Sequence, residues 1–191
     1  MVNISTSEMG PLPDEVKGTL LLVVDVQQRL APAIADTPEV IPRITALIEK
    51  AREARLPILA SEQYSRGLGG TLPVLRGLLA AQEVIEKIHF AAPREAAFAA
   101  ACEARGLRRA VVVGMEAHVC VQQTALALLE RGVAVTVAGD AVASRDDLDR
   151  RVALARLARA GAAVTGTAAL LAAWSASGPA AAPDAPAPLS L

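Results

Sequence analysis

The stretch RRAVVVGMEAHVCVQQTALALLER, residues 108–131, changes periodicity in the middle. AVVVGM (110–115) is a short apolar run rich in β-branched residues, the pattern of a strand buried on both faces. Residues 118–131 space their apolar side chains as a helix does, and Gly132 follows, suited to the left-handed conformation common just past helix ends. A strand passing into a helix through a cysteine-bearing turn is half of a βαβ unit, and the fold depends on whether that unit repeats.

It repeats in both directions. TLLLVVD (19–25) reads as the first strand and residues 38–56 as an amphipathic helix with Ile41, Ile44, Leu47 and Ile48 on one face, ended by Pro57. PILASE (57–62) is a second strand, 65–79 a Gly-rich loop entering a short helix, EVIEK (83–87) a third strand and 93–105 a helix. Beyond the central unit come AVTVAGD (134–140), a helix over 144–161 whose Ser144 and Asp147 are spaced for a capping box, AAVTG (162–166) and a last helix over 167–175. Strands alternating with helices predict an α/β protein, a three-layer α/β/α sandwich around a six-stranded parallel sheet. One domain is expected over 18–175, between an N-terminal leader (1–17) and a loose Pro/Ala-rich tail (176–191), with no internal repeat.

Bulk properties narrow the function. The 191 residues fit one domain of the usual ~100–200, and the 53% hydrophobic content is aliphatic, with one Trp, one Tyr and two Phe. A net charge of −1 with scattered basic residues argues against nucleic acid as a partner. Apolar runs fall far short of the ~20 residues of a membrane span and the N-terminus lacks a signal-peptide pattern, so a soluble cytoplasmic protein is expected, with no membrane partner. Cys102 and Cys120 lack metal-ligand spacing and read as free thiols of a reducing compartment.

In an open parallel sheet, ligands bind beyond the carboxyl ends of the strands. Asp25, Lys87 and Cys120 all fall at such ends. Cys120, near a helix start, is either a thiolate nucleophile with a depressed pKa or a buried inert thiol. Asp25 ends an apolar strand, where a carboxylate is costly unless paired, and is either the acceptor of the thiol proton or a cap. Lys87 is either a surface lysine or the ammonium that holds the other two and stabilises developing negative charge.

Taken together, LLVVDVQ, EKIHFAA and GMEAHVCVQQTALALLERG resemble the three motifs of the isochorismatase-like cysteine hydrolases, over about residues 18–172. The resemblance implies that family's sheet in Rossmann-like order and an Asp25–Lys87–Cys120 triad. In this chemistry Cys120 attacks a carbonyl, Asp25 accepts its proton, and water hydrolyses the thioester. It also implies a cis peptide between Met115 and Glu116, an oxyanion hole from the backbone N–H groups of Glu116 and Cys120, and a homo-oligomer. Where the family's metal-dependent nicotinamidases carry an Asp-X-His pair, this chain has Ser61-Glu62-Gln63 and two histidines in all, so neither metal nor cofactor is expected. The cysteine argues for acyl rather than vinyl-ether chemistry, hence a small amide or related acyl substrate. SEQYSRGLG with GMEAHVC most resembles the isochorismatase domain-containing branch.

Gln63, Tyr64, Phe90 and His118 are candidate substrate-pocket residues, with core packing the alternative for the two aromatics and a solvent-facing position the alternative for His118. Cys102 reads as packing and Asp140 as a loop-ordering carboxylate. Two other functions compete: a binding protein that keeps the fold without turnover, and a redox sensor using Cys120 with Cys102 brought near by folding. A dinucleotide site is the weakest reading, because DVQQRLAPAIAD lacks a Gly-rich turn after the first strand.

Overall fold

The computed structural model describes residues 18–176. Strands β1 (Thr19–Val24), β2 (Ile58–Gln63), β3 (Val84–Lys87), β4 (Arg109–Met115), β5 (Ala134–Ala143) and β6 (Ala163–Thr165) form one sheet in the order β3-β2-β1-β4-β5-β6. All pairings are parallel. The expected α/β fold is present, with each run of strand residues at or near its expected place. The winding reverses between β1 and β4, so a crevice is expected beyond their carboxyl ends.

Alternation along the strands splits the core into two layers. From β1, Leu21 and Val23 join Ile44, Leu47, Ile48 and Ala51 of α1 (Thr37–Glu53) and Leu170 and Trp174 of α7 (Thr167–Ala176). Leu20, Leu22 and Val24 face the other way. They join Phe98 and Cys102 of α4 (Ala96–Glu103), Ala125 and Leu128 of α5 (Gln122–Leu129), and Ala153 and Leu157 of α6 (Asp147–Arg159). Each fully buried aliphatic side chain contributes about 1.5–3 kcal/mol, which is why β1 can be apolar throughout. The loop after β2 folds into two single-turn helices, α2 (Ser65–Leu68) and α3 (Pro73–Arg76).

Three local expectations are corrected. The capping box at Ser144 and Asp147 is absent: α6 starts later, and Asp146 caps it by accepting from the Leu148 N–H at 2.8 Å. β5 runs on to Ala143 and slips register against β4, using five residue steps from Val137 to Val142 where β4 uses two from Val112 to Gly114. That bulge carries Ser144 past the strand end, where its hydroxyl has another partner. The helix expected from 118 instead opens as a π-turn over Ala117–Val121 before α5. The leader and all but the first residue of the tail lie outside the described residues.

Candidate active site

Asp25 leaves β1 with φ at +50°, a left-handed conformation that Asp tolerates better than most side chains. Its N–H donates to the Ser61 carbonyl of β2 at 3.0 Å, which continues the sheet's bonding one residue past the strand. The side chain is completely buried, and its Oδ1 accepts from the Ser61 hydroxyl at 2.7 Å.

Lys87 reaches this carboxylate from two strands away. Neighbouring strands lie about 4.8 Å apart, so a β3 side chain must cross ~10 Å to meet the end of β1, a span that a four-carbon stem makes possible. Nζ lies 2.7 Å from Asp25 Oδ2, a close ionic contact rather than a well-angled hydrogen bond. It also donates to Gln63 Oε1 at 2.7 Å and to the His89 and Phe90 carbonyls at 3.3 and 3.4 Å. This lysine is buried and fixed by four oxygen partners, not exposed at a strand exit.

Cys120 arrives from β4, the other neighbour of β1. Gly114 makes the approach possible: at φ +119°, a Cβ there would stand 2.0 Å from the Val24 carbonyl oxygen. The next peptide but one, Met115–Glu116, is cis, as the resemblance implies. The Glu116 carbonyl then accepts from Val119 at 3.1 Å and from Val121 at 3.2 Å, passing over the Cys120 N–H between them. The Cys120 thiol, 6% exposed, lies close enough to the Asp25 carboxyl and to Lys87 for both charges to act on it.

The electrostatics bear on the two readings of Cys120. Burial pushes the Cys120 thiol up to about 12, reinforced by the negative charge of Asp25 and only partly opposed by Lys87. A helix start alone would favour the thiolate, but burial next to a carboxylate outweighs it, so the resting thiol is protonated. Burial likewise raises Asp25 above the ordinary carboxylate range against the opposing pull of Lys87, Cys120 and Ser61. A carboxylate with raised affinity for a proton beside a protonated thiol is arranged for transfer from sulfur to oxygen.

The other expected site residues divide. Gln63 buttresses the site: its Oε1 accepts from Lys87 at 2.7 Å and its Nε2 donates to the Ile88 carbonyl at 2.8 Å. Tyr64, at φ +41°, and Phe90 are both 56% exposed, with Ile88 beside them at 70%, an apolar rim on the β2 and β3 exits. His118 is half-buried, its Nδ1 bonded to the Ser144 hydroxyl at 2.9 Å and its Nε2 3.8 Å from Asp149. Asp140 accepts from the Thr167 N–H and hydroxyl, both at 2.8 Å, and so orders the start of α7. Cys102 packs in the α4 side of the core.

Sequence reasoning missed Ser61, Gln27 and the Glu116–Arg145 pair. Gln27, fully buried, accepts from the Gln63 N–H at 2.8 Å and donates to the Gln63 carbonyl at 3.0 Å, fixing the residue that fixes Lys87. Only the recurrence of polar residues inside apolar strand ends hinted at these roles. Among the described residues, no group of three or more His, Cys, Asp and Glu is placed to hold a metal ion, and no helix is long and apolar enough to cross a membrane.

A six-stranded parallel α/β sandwich with an acid, an ammonium group and a thiol joined at its switch point defines a class of protein. Residues 19–169 match the isochorismatase domain, and the chain belongs to that family. It is 41% identical over 147 residues to isochorismatase domain-containing protein 1 of Salmo salar, covering 77% of this chain and 52% of that one. Against isochorismatase domain-containing protein 2A of Mus musculus identity is 35%, over 76% of this chain and 69% of the relative. The chain thus spans about half the length of the first of these relatives. Among solved structures, the MAR1 ribonuclease of Caenorhabditis elegans is 36% identical with a TM-score of 0.77, over 83% of this chain and 82% of that one. YcaC of Pseudomonas aeruginosa, solved with covalent acrylamide, shares the fold at 24% identity and a TM-score of 0.78, over 90% and 84%.

Proposed function

We propose that the chain is a metal-independent cysteine hydrolase of a small amide or related acyl compound. The observation that carries this reading is the junction of Asp25, Lys87 and Cys120, drawn from three separate strand ends. Asp25 takes the thiol proton as sulfur bonds to the substrate carbonyl carbon, whose oxygen becomes an oxyanion facing the N–H groups of Glu116 and Cys120. The oxyanion collapses, the C–N bond breaks, and the Asp25 proton goes to the departing nitrogen. Water then gives a proton to Asp25 and adds to the thioester; collapse breaks the C–S bond, frees the acid and returns the proton to sulfur. Lys87, beside Asp25, offsets the anion wherever it resides. Tyr64, Ile88 and Phe90 form an apolar rim suited to a small uncharged group.

The test is turnover of an amide and ester panel together with intact-mass detection of an acyl adduct on Cys120. Full turnover by Cys120→Ala removes the nucleophile. An oligoribonucleotide belongs in the panel because the C. elegans relative is described as a ribonuclease; the net charge of −1 and a lysine consumed in a buried pair argue against that substrate. The protonated, nearly buried thiol favours one second reading, a binding protein without turnover, which would capture its ligand equally well as Cys120→Ala. The E. coli YcaC, which shares the fold, is described as octameric, and a homo-oligomer is proposed here too, to be measured by native mass spectrometry. The two free cysteines fit a reducing, cytoplasmic setting.

A further inference from the structure

The loop between β5 and α6 grips the nucleophile turn at two adjacent points. Arg145 sends Nε to Glu116 Oε1 and Nη2 to Glu116 Oε2, each at 2.9 Å, and its backbone N–H adds a bond to Oε1 at 3.3 Å. Ser144, one residue earlier, bonds His118 Nδ1 at 2.9 Å. From the first turn of α6, Asp149 approaches the other nitrogen of the same imidazole at 3.8 Å. The bulge in β5 makes this reach possible, because its extra residues carry the strand exit over the end of β4.

What is gripped matters more than the number of bonds. Glu116 begins the turn, and its carbonyl accepts from Val119 and Val121 while passing over Cys120. In a regular α-turn the Cys120 N–H would be that carbonyl's partner four residues on, and so would be unavailable to a ligand. The turn therefore has to be kept from relaxing into α-helix, and a π-turn has poorer intrinsic support. The Glu116 side chain is 7% exposed whereas that of Arg145 is 64% exposed, so the guanidinium is a solvent-side brace on an inward carboxylate. An exposed salt bridge contributes little to global stability, but a bidentate fork restricts orientation.

We infer that Arg145, bonded to Glu116, is a positioning residue that holds the Glu116–Cys120 turn open for oxyanion binding, assisted by the Ser144–His118 contact. This rests on the hydrolase reading above. Arg145 touches neither the thiol nor Asp25, and acts through the backbone that Glu116 anchors.

The experiment compares two reactions of the same sulfur in wild type, Arg145→Ala and Arg145→Lys. Acylation by p-nitrophenyl acetate passes through an oxyanion; alkylation by iodoacetamide forms none. Arg145→Ala is expected to lower the maximal acylation rate by roughly 10- to 100-fold, with the half-saturating concentration little changed, because small misplacements of catalytic groups have effects of that order. Alkylation should stay near the wild-type rate, and Arg145→Lys, which keeps the charge without the fork, should recover acylation only partly. Equal slowing of both reactions would mark a merely structural role and overturn the inference, as would unchanged acylation in Arg145→Ala. If wild type is alkylated at Cys120 but never acylated, the hydrolase reading fails first and the inference falls with it.

Discussion

Lys87 and Asp25 meet across a strand to which neither belongs: Nζ stands 2.7 Å from Oδ2, while Ser61 of the intervening β2 bonds Oδ1 at 2.7 Å. Both side chains are completely removed from solvent. The pair forms a neutral unit around which the protonated thiol of Cys120 is added without net charge, which makes a buried three-group site tolerable.

Breaking that unit from one side should be more harmful than dissolving it. Lys87→Met leaves a carboxylate buried without its cation, and a loss of about 3–5 kcal/mol is expected in urea denaturation. The double variant Asp25→Asn/Lys87→Met should recover part of the loss. Turnover should be abolished in both.

Asp25→Asn should separate thiol acidity from catalysis. Burial first, and then the Asp25 carboxylate, push the Cys120 thiol upward toward about 12, so removing the carboxylate lowers it, with Lys87 left to stabilise the thiolate. Iodoacetamide labelling of Cys120 near neutral pH should therefore become faster. Hydrolysis should fall by about 10²–10⁴-fold because the proton acceptor is lost. Labelling that slows in step with hydrolysis would contradict the electrostatic assignment.

Glu95 should make the loop after β3 acid-sensitive. It accepts from the His89 and Ile88 N–H groups and from His89 Nδ1, and these bonds hold it at about 2 against an ordinary 4.5. Because the folded value is depressed, the stabilisation is complete above pH 4.5 and is lost as pH falls toward 2. The same loop supplies the His89 and Phe90 carbonyls that accept from Lys87. Protection of the amides over residues 88–95, measured against their intrinsic exchange rate at each pH, should fall across that window, and Glu95→Gln should flatten the pH dependence.

Gln63→Leu should disturb Lys87 without touching the thiol. The substitution deletes an acceptor 2.7 Å from a buried ammonium, expected to cost about 1–3 kcal/mol, with turnover falling alongside. Gly114→Ala should be worse: a methyl 2.0 Å from the Val24 carbonyl forces β4 away from β1 beneath the site. A destabilisation above ~4 kcal/mol, or failure to fold, is expected in thermal melts.

The order of strands and helices, and the three reactive residues at strand ends, were legible in the linear chain because both depend on local pattern. Apolar runs such as TLLLVVD and AVVVGM bury regardless of which neighbour they meet, and polar residues that end them have a crevice to occupy. The partners of those residues were not legible. Ser61 beside Asp25, Gln27 behind Gln63 and Arg145 on Glu116 are contacts between segments 36, 36 and 29 positions apart. Such contacts depend on strand register and on a bulge in β5 that no local periodicity announces. The acidity of Cys120 stayed open for the same reason: a helix start is a local feature, whereas burial and a carboxylate from another strand arise only when the sheet is assembled.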